Sequence, residues 1–190
     1  ARALIPRPET EHLIDEVLKR VDPRESISVA EVGVGSGIIS IMLALHLPNA
    51  RFIAVDISPA ALAVARRNIE AFGLSERIEL REGDLLSCVD ETIDLLVSNP
   101  PYIALDAPLE SNLSFEPQNA LFGGEIGDEI IRRLIGEVYA RRIGCFVCEM
   151  GYDQRAKVQE YLTPFAVQSL EFYTDLAGFD RGFVLKAVHE

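Results

Sequence analysis

Strand-like and helix-like stretches alternate along almost the whole chain, and this alternation restricts the fold more than any other feature. Ile27–Val32 reads as a buried strand and the apolar run Ile38–Leu47 as a helix. Arg51–Val55 is a second strand. Ser58-Pro59 then supplies an N-cap followed by proline at the first helical position. It predicts a helix to about Phe72, ended by Gly73. Arg77–Leu80 and Ile93–Ser98 read as strands, Glu129–Ala140 as a helix, Cys145–Glu149 as a strand and Gln154–Leu162 as a helix. Ala166–Tyr173 and Gly182–Val188 close the chain as a pair of strands. Ahead of all of them, Leu13, Ile14, Val17, Leu18 and Val21 recur at helical spacing over Glu9–Val21, and Asp22-Pro23 stops that helix. Such alternation predicts an α/β fold, a mostly parallel sheet with helices on both faces. Residues 103–127 show no period and contain Pro108, Pro117 and three glycines, so they read as a long functional loop.

The 190 residues suit one domain, with 1–22 as a lead-in and 23–190 as its body. With 48% hydrophobic and 25% charged residues, the chain can bury a core without disulfide or metal staples. A net charge of −12 argues against a generic grip on nucleic acid or an anionic membrane. The run Ile38–Leu47 is too short for a bilayer, which needs about 20 residues. Three cysteines make no disulfide framework, and no charged-then-apolar leader stands at the start, so a cytoplasmic location is expected. The chain opens on Ala1, which reads as a fragment of something longer.

Ligands of parallel sheets sit at the carboxyl ends of strands, where strand order reverses. Three motifs end strands here. The first is Glu31-Val32-Gly33-Val34-Gly35-Ser36-Gly37. Its glycines let the backbone turn sharply and a ligand approach closely. The third glycine comes one place too early for a dinucleotide fingerprint, and the leading acid suits a cationic ligand group better than a phosphate. Asp56 follows Gly37 by 19 positions, where an acid accepts from ribose hydroxyls. Taken alone it is also an ordinary acid at a helix N-terminus. Asp84, in Gly83-Asp84-Leu85, could accept from an adenine amino group; in isolation it reads better as a turn aspartate. Together the acids and glycines describe a nucleoside lying across three strand ends.

The motif suited to chemistry is Asn99-Pro100-Pro101-Tyr102. A planar amide or base nitrogen has its lone pair delocalised, and two acceptors aimed at its N–H groups orient it. The Asn99 side-chain oxygen and the Pro100 carbonyl can act as that pair. Proline fixes φ, and Pro101 pushes Pro100 out of the α region, so the carbonyl direction is preset. Tyr102 offers a flat wall and an electron-rich face.

These motifs resemble the S-adenosylmethionine site and catalytic motif of Rossmann-like class I methyltransferases that act on planar nitrogens. Leu4-Ile5-Pro6-Arg7-Pro8-Glu9-Thr10-Glu11, Phe115-Glu116-Pro117, Ala120-Leu121-Phe122-Gly123-Gly124, Glu149-Met150-Gly151 and 175–181 extend the likeness, in order, to the PrmC/HemK family. The resemblance implies a seven-stranded sheet with a C-terminal antiparallel strand. It implies S-adenosylmethionine held by Glu31, Gly33, Val34, Gly35, Ser36, Gly37, Asp56, Ile57, Asp84, Leu85 and Asn99. It also implies a substrate, the glutamine of the Gly-Gly-Gln loop of peptide chain release factors, held by Asn99, Pro100, Pro101 and Tyr102. It also implies that Arg7–Glu11 lies at the mouth of the site. The bacterial family's helical N-terminal domain is absent from this sequence, which predicts a weaker grip on a protein substrate.

Two departures stand out. Gly124 is followed by Glu125-Ile126-Gly127-Asp128 where the family has Asp-Gly-Leu, and Glu31-Val32 stands where Asp-Leu is common. Other functions fit some of the motifs: methylation of a ribosomal-protein glutamine or of an adenine amino group, a non-enzymatic S-adenosylmethionine-binding module, or a dehydrogenase. The glycine spacing speaks against the last. Cys145 and Cys148 lie three apart in a strand, so they face opposite sides and read as structural rather than metal-binding. His12, His46 and His189 have no nucleophile to serve, and Arg132-Arg133 and Arg141-Arg142 read as solvated helix charges.

Overall fold

A computed structural model describes residues 7–105 and 122–189. The first helix, α1, spans Thr10–Leu18, and strand β1 spans Ser28–Val32. Helix α2 (Ile38–His46), strand β2 (Arg51–Asp56), helix α3 (Pro59–Ala71), strand β3 (Ile78–Glu82) and strand β4 (Leu95–Ser98) follow. Then come the short strands β5 (Ile103–Ala104) and β6 (Phe122–Gly124), helix α4 (Glu129–Ala140), strand β7 (Cys145–Glu149) and helix α5 (Arg155–Leu162). Strands β8 (Val167–Thr174) and β9 (Asp180–Ala187) form the closing hairpin.

Seven strands make one sheet in the order β3-β2-β1-β4-β7-β9-β8. All pairings are parallel up to β7; β9 then runs antiparallel to both its neighbours. The expected mostly parallel sheet with an antiparallel C-terminal strand is therefore present. Strand order reverses between β1 and β4. Register places Val32 opposite both Val55 and Ser98, and Ser98 opposite Cys148. The three motifs read from sequence thus emerge side by side from neighbouring strand ends.

Alternation along each strand divides the core in two. Val29, Phe52, Ala54, Leu95 and Val97 pack with Leu13 and Val17 of α1, Ile39 and Leu43 of α2, and Leu62 and Ile69 of α3. Ala30, Ile53, Val55, Leu96 and Phe146 pack with Ile131, Leu134 and Val138 of α4 and Val158 and Leu162 of α5. Helix α1 shares the core of the domain through Leu13, which is fully buried. Cys145 faces the first cluster and Cys148 the second, as their spacing requires, and burial pushes both thiols above their ordinary range.

The structure departs from the sequence reading in two places. Within 103–127, Ile103–Ala104 and Phe122–Gly124 pair in parallel as β5 and β6, so the described part of that stretch is not all irregular loop. A three-residue strand has too few side chains to show a period. Pro108, Pro117, Phe115, Glu116, Ala120 and Leu121 lie outside the described residues. Arg141 is no solvated charge: it ion-pairs with Glu137 and donates to the carbonyls of Val89 at 2.5 Å and Leu86 at 2.7 Å. Arg132 and Arg133 pair with Asp128 and Asp84.

Candidate active site

The glycine loop begins where β1 ends. Gly33, Gly35 and Gly37 have φ of 78°, 53° and 86°, a region in which Cβ collides with the following carbonyl. The Gly33 and Val34 amides donate to the Val55 carbonyl at 2.8 and 3.0 Å, tying the loop to β2. Asn68 of α3 donates to the Ser36 carbonyl at 2.8 Å. The Asp56 carboxylate accepts from the Gly35 amide through Oδ2 and from the Ser58 amide through Oδ1, both at 2.9 Å. A carboxylate offers about four lone-pair sites, so the pair of anchors aims it and leaves each oxygen one further acceptor site. Ile57, beside it, is 61% exposed, an apolar side chain left open at a strand end among the described residues.

Glu31 lies beneath the loop rather than on it, 1% exposed. Its Oε2 accepts from the Ser40 amide at 3.0 Å and from the Ser40 hydroxyl, serving the otherwise uncapped first turn of α2. Its Oε1 is buried and accepts from no described residue. Burial raises the carboxyl to about 8, against the pull of Ser40. Asp84 pairs with Arg133 at 2.6 Å, both side chains half exposed. Leu85 has φ of 51°, rare for a branched residue, and its side chain is buried against the second cluster.

Asn99 follows β4. Its backbone carbonyl would lie 3.8 Å from a Cβ at Gly33, so the glycine loop and the Asn99–Tyr102 turn adjoin. Its Nδ2 donates to Thr10 Oγ1 at 3.1 Å. Thr10 in turn donates to Glu149 Oε2 at 3.0 Å, and the Tyr102 hydroxyl reaches Glu149 Oε1 at 3.4 Å. The segment expected at the mouth of the site thus brings Thr10, the first residue of α1, to Asn99. Burial raises the Glu149 carboxyl to about 7; Thr10, Tyr102 and Arg181 oppose the shift and Glu9 adds to it. Burial, then the Glu149 charge, push the Tyr102 hydroxyl far above its ordinary range.

The backbone after Asn99 is clamped from the other side. Gln154, 2% exposed, donates to the carbonyls of Tyr102 at 3.2 Å and Gly127 at 3.0 Å. A Cβ at Gly127 would meet the Tyr102 carbonyl at 2.6 Å, and one at Gly123 would overlap the Pro101 carbonyl. The unusual Glu125–Asp128 stretch turns about the Glu129 carboxylate, which accepts from the Ile126 amide at 3.0 Å. Burial would raise that carboxyl, but the surrounding amides bring it below its ordinary range. Beside Thr10 a cleft of about 280 Å³ is lined by Arg7, Pro8, Thr10, Glu11, Ile14 and Ile38.

Every sequence-predicted residue therefore lies at the carboxyl edge of the sheet or on the turn that leaves it. Thr10, Glu149 and Gln154 were missing from the predicted set. Thr10 and Glu149 stand in segments that carry the resemblance, without a role of their own there; nothing local marks Gln154.

The methyltransferase small domain family matches residues 10–112, more than half of the chain. The chain belongs to that family. Among curated proteins, this methyltransferase domain is 41% identical over 187 residues to the release factor glutamine methyltransferase of Moorella thermoacetica, and 40% identical over 183 residues to that of Xylella fastidiosa. The alignments cover 95% and 94% of this chain and 66% of each relative, so the chain spans about two-thirds of their length. Among solved structures, a ribosomal protein L11 methylase from Lactobacillus delbrueckii subsp. bulgaricus superposes with a TM-score of 0.68 at 23% identity, covering 96% of this chain and 81% of that one. The N-terminal domain of human METTL16 in complex with SAH gives 0.68 at 18%, covering 97% and 72%. These two share the fold.

The residues present fit a nucleoside cofactor with a cationic tail. The loop holds three positive-φ glycines and no Cβ that would fill the cradle at Gly33 or Gly35. The orphaned Glu31 oxygen can accept from an ammonium, and the exposed Ile57 offers a base an apolar face. No helix among the described residues is long and apolar enough to cross a membrane.

Proposed function

We propose that this chain methylates the side-chain amide nitrogen of a glutamine in a peptide chain release factor, the glutamine of its Gly-Gly-Gln motif. The observation carrying the reading is the state of Asn99: its amide nitrogen is engaged by Thr10, and among the described residues nothing donates to its oxygen. That acceptor belongs to the same short motif as the Pro100 carbonyl, at the reversal of strand order. The names of the relatives support the substrate, and a release factor as substrate implies a cytoplasmic location.

S-adenosylmethionine, when bound, supplies an electrophilic methyl group on its sulfonium. Asp56 would take the ribose hydroxyls through its free lone pairs, Ile57 and Leu85 would flank the base, and Asp84 would accept from the adenine amino group. Gly33, Val34, Gly35, Ser36 and Gly37 would run beneath the amino-acid tail, with Glu31 answering its ammonium. Asn99 and Pro100 each accept one N–H of the glutamine amide, and Tyr102 walls its plane. Held so, the nitrogen lone pair is aimed along one direction, a gain of orientation and preorganised electrostatics. No strong base has to act first, because the amide proton becomes acidic only as the new N–C bond forms.

Incubation with labelled S-adenosylmethionine and an unmodified release factor, followed by mass spectrometry, tests this directly. One methyl on the Gly-Gly-Gln glutamine is expected, with little label on adenine-containing nucleic acid. Asn99→Ala should keep most of the cofactor affinity and lose about 10²–10³ in kcat, the cost of removing one preorganised polar group. Equal labelling of nucleic acid, or an Asn99→Ala variant with normal turnover, would overturn the proposal.

A further inference from the structure

We propose that Thr10 and Glu149 are positioning residues, and that the hydrogen-bond chain they form determines which pole of the Asn99 amide faces the substrate. The inference rests on the amide-holding reading above. The two ends of an asparagine amide are nearly the same shape but opposite in hydrogen-bond polarity. An acceptor site built on Asn99 therefore needs a device that prevents the flipped orientation.

The geometry supplies one. An ionised carboxylate only accepts hydrogen bonds. Thr10 has a single hydroxyl proton, and Glu149 Oε2 takes it at 3.0 Å. Thr10 Oγ1 then presents only lone pairs to its other neighbour. Asn99 can satisfy them with its NH₂ group, at 3.1 Å, and not with its oxygen. The flipped amide would set oxygen against oxygen in a site where Thr10 is 4% and Glu149 2% exposed, so water is poorly placed to relieve the conflict. Glu149 also receives the Tyr102 hydroxyl on its second oxygen at 3.4 Å. One buried carboxylate thus serves both the acceptor and the wall of the site.

The three partners come from separate elements: Thr10 opens α1, Asn99 follows β4, Glu149 ends β7. The contacts bridge 89 and 139 positions of sequence. A plain staple holding α1 on the sheet would use the same atoms, but Leu13 and Val17, 0% and 1% exposed, already hold that helix. Stapling does not require a one-way chain that ends on the catalytic amide.

The test measures cofactor Kd, kcat and KM for Thr10→Val, Thr10→Ser, Glu149→Gln, Asn99→Ala and the Thr10→Val/Asn99→Ala double variant, with unmodified release factor as substrate. Valine keeps the shape of threonine and removes the polarity. Thr10→Val should lower kcat about 10- to 100-fold, the scale of a small misplacement of a reacting group, and leave cofactor Kd nearly unchanged. Thr10→Ser should restore most of the loss. Glutamine can meet Thr10 with either pole, so Glu149→Gln should fall between wild type and Thr10→Val. The double variant should be no slower than Asn99→Ala, because Thr10 acts through Asn99. Normal kcat in Thr10→Val, loss of cofactor binding in that variant, or multiplying losses in the double variant would overturn the inference while leaving the proposed reaction intact. Normal turnover in Asn99→Ala would overturn both.

Discussion

At the scale of a residue, the site depends on where one proton sits. Burial raises Glu149 to about 7, so its charge changes within the working range. Above that pH the carboxylate accepts from Thr10 and Tyr102. Below it, the protonated carboxyl can donate to Thr10, whose own proton then turns to Asn99 and demands its oxygen. Turnover at saturating cofactor should therefore rise with pH through about 7, and Glu149→Gln should flatten the profile. The ionisable groups coupled to Glu149 are Glu9, Arg181, Tyr102, Cys148 and Tyr173. Burial pushes the last three up and keeps them neutral there. A pH–rate profile on wild type and Glu149→Gln checks this; an unchanged profile in the variant would place the titration elsewhere.

At the scale of elements, glycines set how closely strands and turns approach the site. Gly182 in β9 pairs with Glu149 on one side and Tyr173 on the other. The Tyr173 ring lies over it, and its hydroxyl donates to the Cys148 carbonyl at 3.2 Å. A Cβ at Gly182 would overlap both that hydroxyl and that carbonyl. Gly182→Ala has to move backbone, not a flexible side-chain end. It should cost about 2–4 kcal/mol, or roughly 5–15 °C in Tm for a chain of this length. Because the Cys148 carbonyl that has to give way immediately precedes Glu149 in β7, kcat should fall as well. Thermal melts with assays well below the transition check both. On the opposite flank, Gly123 and Gly127 let the β5–β6 pair press against the carbonyls of Pro101 and Tyr102, which explains glycine at both positions.

At the scale of the whole molecule, two buried acids set how stability responds to pH. Glu31 and Glu149 titrate at about 8 and about 7 in the fold, both raised by burial from an ordinary value of 4.5. Between the ordinary and the raised values the folded state holds protons that the unfolded chain has released. The contribution of these groups is thus fully present below about 4.5 and is lost as pH rises toward 7 to 8. Melts from pH 5 to 8 should show this fall; the ion-paired surface carboxylates, held below their ordinary range, titrate at lower pH and leave this window to the buried pair. Glu31→Gln should reduce the slope. The fall should also shrink with S-adenosylmethionine bound, if its ammonium meets the orphaned Glu31 oxygen. An equal slope in wild type and Glu31→Gln would show that this carboxyl does not carry it.

Sequence alone determined the sheet, because a strand buried on both faces and a helix on one leave different periods in the chain. It determined the glycine loop, Asp56 and the Asn99–Tyr102 turn for a related reason: each is a local device whose residues adjoin in sequence and end a strand. It did not determine the β5–β6 pair, which is too short for a period, or the role of Arg141, whose acceptors are main-chain carbonyls and carry no residue identity. Nor did it give Thr10, Glu149 or Gln154 their roles. A threonine at a helix start and an acid at a strand end each have an adequate local explanation. Tertiary structure decided those roles by bringing α1, β4 and β7 to one buried point. There the side chains are buried from solvent, and among the described residues the hydrogen-bond partners of Thr10 lie far apart in the chain.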